Sequence, residues 1–377
     1  MSRGNIRVLV VDDSVVIRSM ICDSIAAASG MEVVGTAADG EKAVEAFKRL
    51  KPDVVSLDIQ MPKLDGLETL DAMLAIQPVP VIMVSSLTQL GGSTTFDALD
   101  RGAIDYVAKP ECGAEAAKVL GGDLIQKLRN AAGTDVSRIL RIRKERKERR
   151  AQQQRRKEVE QAAPKQQPAA IHSTHLADKC IAIGISTGGP PALSTLFESL
   201  RPPMPPIIIV QHMPAQFTKP LAWRLNSLAQ LTIKEAASGD ILRPNHVLIA
   251  PGGKHLQVRR QGSMAKVLIR DGEPVSSHKP SVDVMMKSVA EVFSGRCLGV
   301  IMTGMGRDGA DGCGNIKAAG GYTLGQDETS SDVYGMNKVA YVEGHVDRQF
   351  SLDRAAAVIS QQVARLWEKK AVGCGTG

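Results

Sequence analysis

Between Arg143 and Ala170 the chain carries no Leu, Ile, Met or aromatic residue, and Val159 is its only large aliphatic. A stretch of this kind has no face to bury, so no single core can run through it. In a chain of 377 residues, at roughly 150 residues per domain, it separates two domains. Its first part, RKERKERRAQQQRRKEVEQ, favours helix by propensity. Its second part, PKQQPAA, holds two prolines and reads as an extended spacer. The expected organisation is a domain over 1–130, a basic and partly helical linker over 131–175, and a second domain over 176–377.

The linker also accounts for the charge. The net charge is +7, yet residues 138–165 hold 12 Lys/Arg against 4 Glu, which is the whole excess. The basic character belongs to a solvated spacer or a docking segment for an acidic partner. Two Trp, four Tyr and six Phe are too few for a base-stacking surface. No nucleic-acid partner is expected. No apolar run approaches the ~18 residues of a membrane span, so no membrane insertion is expected. The N-terminus, MSRGNIRVLVVDDS, has a six-residue apolar stretch followed by two aspartates, unlike a signal peptide. Six scattered cysteines without a CxxC pair fit neither a disulfide framework nor a zinc ribbon. The expected location is the cytoplasm.

On each side of the linker, short apolar runs alternate with helical patterns. IRVLVV (6–11), MEVVGTA (31–37), DVVSLD (53–58), PVIMVSS (80–86) and DYVAK (105–109) read as strands. Helical stretches near 15–28, 40–50, 66–76, 93–101 and 113–130 separate or follow them. This is the pattern of an α/β, doubly wound parallel sheet of five strands. Strand candidates recur at 180–185, 206–211, 246–250, 265–270, 297–303 and 321–326. Helices are expected near 190–200, 217–229, 281–294, 309–319 and 351–368, giving a second α/β domain.

Ligands in such sheets bind at the carboxyl ends of the strands. In the first domain Asp12 and Asp13 end the first strand, Asp58 the third, Ser85 the fourth and Lys109 the fifth. Three converging carboxylates repel one another, and Mg²⁺ relieves that with its preference for oxygen ligands. One carboxylate can then accept a phosphoryl group as an aspartyl phosphate, with a lysine and a hydroxyl on the added oxygens.

Residues 6–110 resemble a response-regulator receiver domain, through VLVVDDS, SLDIQMPKLDG, VIMVSS and GAIDYVAKP in that family's order. The resemblance implies a flavodoxin-like fold and phosphorylation of Asp58 by a histidine kinase. It implies Mg²⁺ on Asp12, Asp13 and Asp58. Ser85 and Lys109 would read the phosphoryl group and Tyr106 would be the aromatic switch, although a core or surface tyrosine fits that position too.

In the second domain, CIAIGI runs into Ser186-Thr187-Gly188-Gly189-Pro190-Pro191 and then a helix. Gly184, Ser186 and Gly188 satisfy G-x-S-x-G, the strand-to-helix turn that exposes a nucleophilic serine. The same glycines could cradle a phosphate. A serine needs a base, and the base an orienting acid. His212 follows IIIVQ, and Asp308 lies in TGMGRDG after LGVIMT, so all three come from strand ends. His278 is the competing base, with a substrate-binding or structural role also open to it. Asp308 could instead cap the helix that follows. His255 and His345 read as surface residues. The order Ser…His…Asp differs from the Ser…Asp…His of α/β-hydrolases.

Residues 180–345 resemble the catalytic domain of the chemotaxis protein-glutamate methylesterases. The carriers are GISTGGP, VQHMP, IAPGG, HKPSVDVM, MTGMGRDG and QDETSSDVYGM. The resemblance implies Ser186 as nucleophile, His212 as general base and Asp308 as its orienter. Thr187, Met305 and His278 would contact substrate or oxyanion, and ester hydrolysis would need no cofactor. The implied substrates are methylated chemoreceptors, with glutamine deamidation as a second activity. The receiver would cover the esterase crevice until phosphorylated. Ile185 and Asn337 depart from the family pattern. Two other classes compete: a nucleic-acid- or nucleotide-binding output domain, which salt-sensitive DNA binding would reveal, and a non-catalytic docking protein, which an ester-turnover assay would separate.

Overall fold

A computed structural model describes residues 4–85, 89–109, 114–145, 148 and 173–367. The chain forms two compact units, Met1–Lys165 and Gln166–Gly377. Most of the expected linker, Cys112, Cys374 and His172 lie outside the described residues.

In the first unit the strands are β1 (Ile6–Val11), β2 (Met31–Ala37), β3 (Val54–Asp58), β4 (Val81–Ser85) and β5 (Asp105–Ala108). They form one parallel sheet in the order β2-β1-β3-β4-β5. β3 and β4 are buried at every position, as strands covered on both faces of a parallel sheet are. The helices are α1 (Val15–Ala26), α2 (Gly40–Leu50), α3 (Gly66–Ile76), α4 (Gln89–Arg101) and α5 (Ala114–Ala131). Short polar residues start three of them: Ser14, Asp39 and Asp65 accept N–H bonds from the first turn, and Glu68 closes a capping box with Asp65. A sixth helical stretch, α6 (136–145), follows. Its Val136 and Ile139 are buried with Leu124 and Leu128 in the core of this unit. The start of the segment expected as linker therefore belongs to the first core, because its apolar residues come before Arg143.

The second unit is a seven-stranded parallel sheet in the order β14-β13-β12-β6-β7-β9-β8. Its strands are β6 (Cys180–Ile185), β7 (Ile207–Gln211), β8 (Thr232–Glu235), β9 (His246–Ile249), β12 (Cys297–Ile301), β13 (Tyr322–Gln326) and β14 (Arg348–Phe350). The helices are α7 (Gly189–Ser199), α8 (Ala215–Leu228), α9 (Val282–Phe293), α10 (Ala310–Ala318), α11 (Met336–Val342) and α12 (Ala355–Trp367). Chain order reverses at β6, which puts the crevice of this sheet at the carboxyl ends of β6, β7 and β12. The expected strand at 265–270 forms, but in a separate antiparallel hairpin of β10 (His255–Gln261) with β11 (Met264–Arg270). Among the described residues no helix is long and apolar enough to cross a membrane.

Candidate active site

β6 and β7 pair with Ile185 opposite Gln211. The His212 N–H continues the ladder to the Ile185 carbonyl at 3.1 Å. Ser186 and His212 therefore leave adjacent strands side by side. The buried Gln211 amide ties the two turns together, donating to the Ser186 carbonyl at 2.9 Å and the His212 carbonyl at 3.0 Å. On the other flank the Ser186 N–H donates to the Thr303 carbonyl, 3.0 Å away, just past β12. Gly188 takes a left-handed φ of 77°, which lets the chain turn directly into α7. Gly304 packs so tightly that a Cβ there would lie 2.8 Å from the Ser186 Cβ. Ser186 is 7% exposed at the bottom of this turn.

His212 Nε2 stands 2.7 Å from Asp308 Oδ2. Asp308 is fully buried. Its Oδ2 also accepts the Val282 N–H at 2.7 Å, and its Oδ1 accepts the Ser281 hydroxyl at 2.7 Å and the Asp283 N–H at 3.1 Å. These donors form the N-terminus of α9, which favours negative charge. Burial pushes the Asp308 carboxyl up, but His212, the Val282 N–H and Ser281 outweigh it and hold it down at about 2. An ionised Asp308 can only accept, so Nε2 of His212 carries the proton. The lone pair is left on Nδ1, which is buried without a hydrogen-bond partner.

Asp308 does not cap the helix that follows it. The residue at the N-cap of α10 is Gly309, with no side-chain cap, and the Asp308 carboxylate goes to α9. The His278 ring stacks on that of His212, with centroids 3.8 Å apart. Atoms of His212, His278 and Asp308 come within 4.8 Å of one another. Parallel rings keep their in-plane lone pairs in separate planes, so they do not converge on one cation. Thr187 offers its carbonyl to the Thr303 hydroxyl at 3.0 Å, and Met305, half-buried, follows Gly304.

His255 is not a surface residue. It is 6% exposed, with Nε2 on the Glu273 carbonyl at 2.9 Å and Nδ1 accepting the Ser281 N–H at 3.2 Å. The sequence reading also passed over Gln211, Ser281 and Asp283. The run S-V-D ahead of a helical pattern signals a cap, but not which carboxylate the cap holds. Asn337 is buried and bonds the Gln326 carbonyl and the Ser331 hydroxyl at 2.7 and 2.8 Å. Ile185 is buried within β6.

The first unit gathers its polar residues likewise. Asp12, Asp58 and Ser85 are buried at the ends of β1, β3 and β4, while Asp13 is exposed. Lys109 Nζ lies 3.0 Å from Asp12 Oδ2 and 2.7 Å from Asp58 Oδ2. Burial pushes Asp58 up to about 6 against the pull of Lys109, and raises Asp12. Thr95 donates its hydroxyl to Ser85 Oγ at 2.9 Å. Asp12, Asp13 and Asp58 each offer an oxygen within 4.8 Å of the others, a hard donor set that fits Mg²⁺. Tyr106 is buried in β5, its ring centroid 5.2 Å from Lys127 Nζ.

The family description "CheB methylesterase" matches residues 181–359, and "Response regulator receiver domain" matches 8–120. A protein of Sulfurimonas denitrificans named protein-glutamate methylesterase/protein-glutamine glutaminase is 43% identical over 344 residues, 91% of this chain and 94% of its own. A protein of the same name from Syntrophotalea carbinolica is 44% identical over 352 residues, 93% of this chain and 96% of its own. This chain belongs to the protein-glutamate methylesterase/protein-glutamine glutaminase family. The family and both domain types are those the sequence resemblance implied. The crystal structure of the Thermotoga maritima CheB methylesterase catalytic domain is 35% identical, with a TM-score of 0.48, over 49% of this chain and 98% of that one.

Proposed function

We propose that this chain hydrolyses glutamate γ-methyl esters on the cytoplasmic helices of chemoreceptors and releases methanol. The observation that carries the reading is the buried, unpartnered Nδ1 of His212 beside the Ser186 turn, with Nε2 held by an ionised Asp308. Ser186 Oγ attacks the ester carbonyl as His212 Nδ1 takes its proton. His212 returns that proton to the departing methoxide, and water releases the glutamate by the reverse sequence. The Met305 N–H and the N-terminal turn of α7 would hold the developing oxyanion, and Thr187 and His278 would contact the substrate. A glutamine side-chain amide presents the same carbonyl with ammonia as leaving group, so the site also deamidates. General-base help contributes roughly 10²–10⁴ in rate and an oxyanion donor roughly 10²–10³.

Asp58 is the proposed acceptor of phosphate from a histidine kinase in the cytoplasm, and its phosphorylation raises esterase output. Mg²⁺ held by Asp12, Asp13 and Asp58 would neutralise charge on the incoming group. Lys109 and Ser85 would bond the added oxygens, with Tyr106 as the reporting aromatic.

The test is methanol release from methylated receptor membranes, with and without a small-molecule phosphodonor and Mg²⁺. The expected outcome is release that rises with phosphodonor in the wild type and vanishes in Ser186→Ala. Absence of release from the wild type under every condition would reject the reading.

A further inference from the structure

The acidic groups behind His212 are two, not one. Asp308 precedes α10, yet its carboxylate sits on the N-terminus of α9. Asp283 is in the first turn of α9, yet its Oδ1 accepts the Gly309 N–H at 2.9 Å and the Gly312 N–H at 2.7 Å, at the start of α10. Each helix lends a carboxylate to the other's unsatisfied N–H groups. The exchange closes a ring around Asp308. The Asp283 N–H holds Asp308 Oδ1, and the Asp283 side chain holds the residue next to Asp308 in the chain.

We infer that Asp283 is a positioning residue, which fixes the Asp308 carboxylate against His212 Nε2 by clamping the start of α10 to α9. Its hydrogen bonds reach His212 through Asp308 and the residue next to it, Gly309. Without the side chain, Gly309 and Gly312 would keep two N–H groups with no carboxylate, and the Asp308 backbone would lose its tie to α9 on that side. Gly309 has a left-handed φ of 94°, a conformation glycine adopts without a Cβ penalty, so α10 can start directly beneath the Asp283 carboxylate. Burial and the adjacent Asp308 push Asp283 up to about 7, so the two carboxyls do not both carry full charge at neutral pH. An amide can replace such a side chain, since its oxygen accepts the same two N–H bonds and its NH₂ can face Asp308.

The kinetic arm of the test rests on the ester-hydrolysis reading; the spectroscopic arm does not. In the full chain with ¹⁵N-labelled histidine, the His212 Nε2 proton bonded to Asp308 should give a low-field resonance that Asp308→Ala removes. Asp283→Ala should lose or shift that resonance, and Asp283→Asn should keep it. In the methanol assay, Asp283→Ala should lower kcat by about 10²-fold, the scale of a misplaced catalytic group, with KM within about 2-fold. Asp283→Asn should restore kcat to within about 3-fold. Asp283→Ala in an Asp308→Ala background should add less than about 3-fold, because the effect acts through Asp308. If Asp283→Ala does not fold, Asp283→Ser, which keeps one acceptor, is read the same way. An unchanged low-field resonance in the Ala or Ser variant would overturn the inference. So would losses at 283 and 308 that multiply. A lost resonance with an inactive wild type would uphold the positioning and reject the ester reading.

Discussion

Ser186 gains its setting from neighbours that do no chemistry. The Gln211 amide spans the Ser186 and His212 carbonyls, and Gly304 leaves room for the serine's Cβ. Gly304→Ala would force that contact apart and should destabilise the second unit by about 1–3 kcal/mol, with a fall in kcat. Thermal melts and methanol release measure the two effects. Asp308 gives a pH signature. Its folded-state carboxyl lies at about 2, below the ordinary 3.8, so its stabilising contribution is present above about pH 4 and is lost as pH falls toward 2. Urea unfolding of the wild type and Asp308→Asn should show the wild type losing about 2 kcal/mol relative to the variant across that window. Equal acid sensitivity would contradict the burial and bonding described for this carboxylate.

At the scale of elements, the N-terminus of α9 is both a structural cap and the seat of the acid. Ser281 accepts the Val284 N–H and donates to Asp308 Oδ1 at 2.7 Å. Ser281→Ala should therefore remove about 1 kcal/mol of capping and lower kcat by about tenfold, the cost of one hydrogen bond to a charged group. Chemical unfolding and steady-state kinetics read these separately. The opposite end of α9 carries Phe293, fully buried in the core. Phe293→Ala should cost about 3–5 kcal/mol, as large-to-small changes in a packed core do, and should appear as a lower urea midpoint with little change in slope.

At the scale of the whole molecule, one chain carries two parallel sheets, each with its polar groups at the carboxyl ends of its strands. On the proposed function, coupling phosphorylation at Asp58 to work at Ser186 would take little energy: a tenfold change in output needs only ~1.4 kcal/mol of difference between two states. Asp58→Asn should keep the phosphodonor-free rate and lose the increase that phosphodonor brings in the wild type. An increase that persists in this variant would place the acceptor elsewhere.

The alternation of apolar runs and helical patterns was enough to set the first sheet, because strand and helix periods are local and β3 and β4 are buried at every position, with Ser56, Asp58 and Ser85 their only polar residues. It also exposed Ser186, His212, Asp308, Asp12, Asp58 and Lys109, since polar groups at strand ends interrupt those runs. Elements with weak local signals were missed. β8 (Thr232–Glu235) is a four-residue edge strand with only Ile233 fully buried, and β14 has three residues. β11 looks the same in sequence whether it joins a parallel sheet or, as it does, a hairpin with β10. The tertiary structure alone decided that His255 is buried against Ser281 and that Asp308 and Asp283 exchange helix ends. These contacts join residues about 25 positions apart in the chain, and which carboxylate reaches which N-terminus depends on how α9 and α10 pack, which no local period encodes.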